Sequence, residues 1–65
     1  MTIGQSIRRI RREKGITQWQ LSSAIGVTPG TILLIERGGR ECTKEMIADI
    51  AKALGVPEQR LLDHK

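Results

Sequence analysis

Phenylalanine and tyrosine are absent from this 65-residue sequence, and tryptophan, cysteine and histidine occur once each, as Trp19, Cys42 and His64. A core built from it must rest almost wholly on aliphatic side chains. A lone cysteine has no intrachain partner. One cysteine with one histidine supplies neither a metal's ligand set nor a nucleophile with its base, so Cys42 is expected to be structurally neutral and catalysis has no residue constellation behind it. Nothing in the sequence asks for a cofactor, a metal or a small-molecule substrate. No apolar run nears the ~20 residues of a membrane span, and no signal-peptide pattern opens the chain, so the expected setting is a reducing cytoplasm rather than a membrane. At this length only ~60% of the unfolded surface is buried on folding, so one domain over residues 1–65 is expected, with little core to spare.

Acidic residues are scarce in the first part of the chain. Residues 1–40 hold Arg8, Arg9, Arg11, Arg12, Lys14, Arg37 and Arg40 against Glu13 and Glu36 alone, whereas residues 41–65 carry a slight acidic excess; the formal net charge is +4. Such an uneven distribution suits nucleic-acid binding, but charged residues that merely solvate helix faces give the same count. Charge alone leaves both open.

What is present is helix punctuation. Thr2, Thr17, Thr28 and Thr43 each precede a helix-like segment, and Gln5 and Gln20 stand three residues after the first two, the spacing of a capping box. Gly15, Gly26 and Gly38 fall where helices end. The pattern predicts helices over 2–14, 17–25, 28–37 and 43–54, with Gly55-Val56-Pro57 opening a short fifth over about 57–62. No segment alternates like a strand. Inward stripes at spacings of three and four then predict the core: Ile3, Ile7 and Ile10; Leu21, Ala24 and Ile25; Ile32 and Ile35; Ile47, Ile50, Ala51 and Leu54. Val27, Val56, Leu61 and Leu62 are expected to close it.

The third segment, "TPGTILLIERGG", breaks this economy. Thr28 stands as N-cap with Pro29 at the first helical position, and Ile32 and Ile35 share one face. Gly30, Leu33, Leu34 and Arg37 point elsewhere, so apolar residues run nearly all the way round. A surface helix of a small soluble protein has no use for a second apolar face unless something other than its own core meets it.

The second and third helices are joined by "AIGVT", a short turn with Gly26 where a left-handed residue is needed, and Ser22 is small enough for two helices to cross closely. Across Gln18 to Arg37 the pattern of Gln18, Leu21, Ser22, Ile25, Gly26, Val27, Ile32, Ile35 and Glu36 resembles the phage repressor and Cro family, the Xre-type helix-turn-helix domains. "REKGITQ" before it, "IERGGR" after it and "IADIAKALGV" later fall in family order, so the resemblance covers nearly the whole chain. It implies an all-α, compact five-helix lambda-repressor-like domain. It also implies a transcriptional regulator, a repressor, that binds double-stranded DNA as a homodimer on a two-fold-symmetric operator. As in the lambda and 434 repressors of that family, the third helix would lie in the major groove.

Carried across residue by residue, the base-reading positions of the family fall on Pro29, Gly30 and Leu34, with Thr28 and Thr31 beside them. This departs from the usual pattern, because Gln, Asn, Arg and Lys, whose donors and acceptors match base edges, are absent between Thr28 and Ile35. Leu34 suits a thymine methyl, Gly30 permits close approach, and the hydroxyls of Thr28 and Thr31 suit phosphate or base. Arg37 sits near the helix end. Gln18, Arg40 and Lys44 are assigned to phosphates. The resemblance further pairs Arg11 with Glu36 in an ion pair that orients the third helix.

Three features keep a second reading. Leu33 and Leu34 form an apolar patch of the kind that marks protein partners, so the same fold could serve as an interaction module, antitoxin-like or co-regulatory. Leu33, nearer Ile32 in helical angle, is expected to tuck partly against the core or a second subunit, more so than Leu34. Trp19 lies either along sugar and phosphate or over the end of the first helix, and the packing role is the one expected. Arg8 and Arg12 face away from the isoleucines and are read as a solvated face that strengthens the attracting field. Leu61, Leu62 and the carboxy-terminal segment are the candidate dimer surface.

Overall fold

The computed structural model describes residues 2–62; His64 and the carboxy-terminal end of the candidate dimer surface lie outside them. Its elements are α1 (Ile3–Glu13), α2 (Gln18–Ile25), α3 (Pro29–Arg37), α4 (Lys44–Leu54) and α5 (Glu58–Leu62), with no strand among the described residues. The threonines stand one residue before the helices they open. Both capping boxes close: Thr2 Oγ1 accepts from the Gln5 backbone N–H at 3.2 Å and Gln5 Oε1 from that of Thr2 at 2.8 Å. The Thr17–Gln20 pair does the same at 3.0 and 2.8 Å. Each box satisfies donors that a helix start leaves without intrahelical acceptors.

Thr28 behaves differently from the other three. Its backbone has the extended N-cap conformation, but its side chain makes no cap hydrogen bond; Thr28 Oγ1 lies 3.0 Å from Thr31 Oγ1 instead. The expectation of a side-chain cap there is corrected, and Pro29 explains part of the tolerance, since its fixed φ starts the helix and it brings no N–H to satisfy.

α1 packs on α3 and α5, α2 packs on α3 and α4, and α4 packs on α5. Ile7, Ile10, Leu21, Ile32, Ile50 and Leu61 are fully enclosed between them, with Ile35, Ala51 and Leu54 at the same centre. Two expected core members are not there. Ala24 is exposed, because the buried side of α2 runs through Leu21, Ser22 and Ile25, and Ala24 lies about 110° round the helix from its centre. Leu62 is exposed because α5 is short and Leu61 occupies the inward position, so the next residue turns about 100° away.

The α2–α3 turn forms on Gly26, whose φ of 77° and ψ of 32° lie in the left-handed region. The Gly26 and Val27 N–H groups both return to the Ser22 carbonyl, the second at 2.9 Å, closing the last turn of α2. A side chain with a Cβ would strain that conformation. Ser22, buried at the crossing, donates its hydroxyl to the Trp19 carbonyl at 2.8 Å and so leaves no unpaired donor inside.

Candidate nucleic-acid interface

α3 is held from one side only. Ile32 and Ile35 sit in the core, and Gly4 of α1 presses its backbone against the last turn of α3. A Cβ at Gly4 would run into the Ile35 carbonyl oxygen and come within 3.0 Å of the Glu36 Cα, so only glycine permits this approach. The sequence pattern gave no sign of Gly4's role, since a close crossing depends on the partner helix as much as on the residue itself.

The second fixture is polar. Arg11 and Glu36 are both buried, and the guanidinium grips the carboxylate in two places, Nε to Oε2 at 2.7 Å and NH2 to Oε1 at 3.1 Å. The third guanidinium nitrogen, NH1, donates to the Ile16 carbonyl at 2.9 Å. Gln18 Nε2 completes the set, donating to Glu36 Oε1 at 3.1 Å. A paired, fully hydrogen-bonded charge is the form in which an ion is tolerated away from water. One carboxylate at the end of α3 thereby joins α1 and the first residue of α2, and Arg11 adds the loop between them.

The outward side of α3 carries no such partners. Pro29, Gly30, Leu33, Leu34 and Arg37 are exposed, and Thr31 is half-buried beside them. Leu34 is 47% and Leu33 40% exposed, so Leu33 is the more covered of the two, by a small margin, and is not part of the core. Its angular offset from Ile32 carries it past the edge of the packed face. Arg37, Arg40 and Lys44 are exposed and make no ion pair among the described residues. The structure thus brings Thr28, Gly30, Thr31 and Leu34 together along one helix, ties Gln18 to it through Glu36, and puts Arg37 at its end. Arg40 and Lys44 follow in the next loop and at the start of α4.

Trp19 corrects a further expectation. It is 66% exposed and does not cover the end of α1. It projects from the second residue of α2, the turn whose backbone N–H groups lack helical acceptors. The signal that would have found this was its position, about 160° from Leu21 and hence off the buried side of α2.

Cys42 packs partly against the core, and burial raises its thiol pKa above the ordinary value. Among the described residues no group of histidine, cysteine, aspartate and glutamate is arranged to hold a metal, and no helix is long and apolar enough to cross a membrane.

The helix-turn-helix family model matches residues 7–61. An uncharacterised HTH-type transcriptional regulator, y4dJ, of Sinorhizobium fredii is 35% identical over 60 residues, spanning 92% of this chain and 78% of its own length. Among solved structures, the clp gene regulator ClgR of C. glutamicum superposes with a TM-score of 0.89 at 35% identity, over 92% of this chain and 78% of that one. The DNA-binding domain of the P22 c2 repressor superposes with a TM-score of 0.90 at 31% identity, over 95% and 82%.

Proposed function

The chain belongs to the Xre-type helix-turn-helix family, whose members are DNA-binding transcriptional regulators, and from that premise we propose that it is a sequence-specific repressor of the cytoplasm. Its 65 residues act as one domain, paired as a homodimer on a two-fold-symmetric operator, with α3 in the major groove of duplex DNA. The observation that carries this reading is that α3 is fixed from behind by Gly4, Arg11 and Glu36 while its whole outer side stays open. A helix so held presents a fixed pose to a rigid ligand.

The chemistry of that outer side favours methyl and shape readout. Leu34 packs on a thymine methyl, and Gly30 lets the helix approach closely. The Thr28 and Thr31 hydroxyls share one hydrogen bond, which leaves one O–H to donate to a phosphate or base. Gln18 spends one amide hydrogen on Glu36 and keeps the other for a phosphate. Arg37, Arg40 and Lys44 supply charge to phosphates.

Selection from random duplex DNA, with sequencing of what is retained, tests this directly. If each subunit neutralises three or four phosphates, log K falls with log salt at a slope of roughly −5 to −7. Arg40→Ala then weakens all sequences alike and flattens the slope, while Leu34→Ala loses affinity chiefly where a thymine methyl lies opposite and Gly30→Gln changes the preferred bases. The exposed Leu33, Leu34 and Trp19 favour a second reading, in which the same face binds a protein. Failure to bind any duplex at low salt, together with loss of a defined protein complex in Leu34→Asp, replaces the first reading by the second.

A further inference from the structure

Gly4 is buried in the first turn of α1. Its backbone is helical and open to any amino acid, unlike that of the four glycines with positive φ. Glycine is the poorer choice inside a helix, so what keeps it there is space. A Cβ added at Gly30 or Gly39 meets nothing nearer than 3.9 or 3.6 Å, whereas at Gly4 it runs into the Ile35 carbonyl oxygen and comes within 3.0 Å of both the Cα and the carbonyl oxygen of Glu36. All three are backbone atoms, which cannot turn aside as the end of a side chain can. Building on the duplex-binding reading above, we propose that Gly4, although buried, determines sequence specificity. It is a positioning residue that sets the tilt of α3, and with it the place where Leu34 meets a base pair.

The two ends of α3 are held by different elements. Its start follows α2 through the Gly26 turn, where the Val27 N–H bonds the Ser22 carbonyl at 2.9 Å, and Ile32, one turn on, is enclosed in the core. Its end rests on α1. Gly4 meets the main chain of Ile35 and Glu36, and Arg11, two turns further along the same side of α1, holds the Glu36 carboxylate. The Ile35 carbonyl also accepts from the Gly38 N–H at 3.1 Å, which makes it a fixed part of the helix end.

Extra volume at Gly4 therefore moves the last turn of α3 away from α1 while the first turn keeps its place. A helix pivoted in this way carries Leu34 and Arg37 off their positions and leaves Thr28 and Gly30 nearly where they were. A gap of about 0.5–1 Å already forfeits a quarter to a half of a van der Waals contact. A shift too small to unfold the chain is thus enough to weaken the grip of Leu34 on a methyl group.

Selection from random duplex DNA is run on the full chain and on Gly4→Ala. The base pairs read by each end of α3 are those whose preference changes in Leu34→Ala and in Gly30→Gln. Gly4→Ala is expected to lose roughly fivefold to tenfold in preference at the Leu34 base pairs, the lower part of the range for one base pair, and to keep its preference at the Gly30 base pairs. Its affinity for random-sequence duplex should stay within about twofold. The urea midpoint is measured alongside, and where the variant is partly unfolded both selections are repeated with trimethylamine N-oxide, which favours the folded state. A purely structural glycine gives another pattern, a loss in proportion to the unfolded fraction that is alike for all sequences and at both ends of α3, and that result overturns the proposal. An unchanged preference at the Leu34 base pairs in a folded variant also overturns it. So does a variant that stays unfolded with the osmolyte, since the contact then serves the fold as a whole. If the unsubstituted chain binds no duplex at low salt, the duplex reading itself fails, an outcome that no result on the variant can imitate.

Discussion

α3 and α4 are adjacent in the chain, similar in length and almost equally rich in aliphatic residues, yet they spend those residues differently. α4 buries Ile47, Ile50, Ala51 and Leu54 along one side and turns Lys44, Glu45, Asp49 and Lys52 outward. α3 buries Ile32 and Ile35 and leaves Leu33 and Leu34 exposed. The polar arrangement is inverted as well: the buried charge belongs to α3, as Glu36, and α4 buries none. α4 is built to stabilise. α3 is built to be held in one pose while showing an apolar surface.

The sharpest way to break this contrast is to remove the clasp. Glu36→Ala leaves the Arg11 guanidinium buried without its counter-ion and should lower the unfolding free energy by about 3–5 kcal/mol, seen as a fall in the urea midpoint. An unchanged midpoint would show the pair to be energetically equivalent to an exposed one, worth less than ~1 kcal/mol.

Truncation of matched aliphatics compares the two helices directly. Ile50→Ala in α4 removes a fully enclosed side chain and should cost about 2–5 kcal/mol, whereas Leu34→Ala in α3 should cost about 1 kcal/mol or less, because 47% of it is already exposed. Thermal or urea unfolding of both variants checks the difference. A cost for Leu34→Ala near that of Ile50→Ala would mean that the outer side of α3 serves the fold.

The smallest contrast lies at the helix starts. Thr43 Oγ1 accepts from the Met46 backbone N–H at 3.2 Å, while Thr28 caps nothing and turns to Thr31. Thr43→Ala should therefore cost about 1 kcal/mol and Thr28→Ala only a few tenths. Equal costs would place the value of these threonines in backbone conformation alone.

How far the sequence reveals such a molecule depends on the range of the interaction that decides each feature. Threonines before helices and glycines after them act through their own turn of backbone, so all five helices are legible to within a residue or so. The stripes on α1, α3 and α4 are legible for the same reason, since each helix meets its neighbours on one side. On α2 Ser22 takes a buried place at the helix crossing, which turns the buried side towards it and leaves Ala24 outside. The closeness of Gly4 to α3, the link from Gln18 to Glu36 and the openness of Trp19 are properties of residue pairs far apart in the chain, and periodicity says nothing about them. The residues assigned to the candidate interface came from the resemblance; what the structure adds is that Gly30, Leu34, Arg37, Arg40 and Lys44 are exposed while Gln18 is tied to Glu36.

The contact of Gly4 with the end of α3 bears on how such a protein diversifies. Two main chains meet there without side chains between them, so the pose of α3 is fixed by atoms that every amino acid shares. Exchanging residues 30, 31, 33 or 34 leaves that seat untouched. The outer side of the helix can be rewritten while its placement is kept.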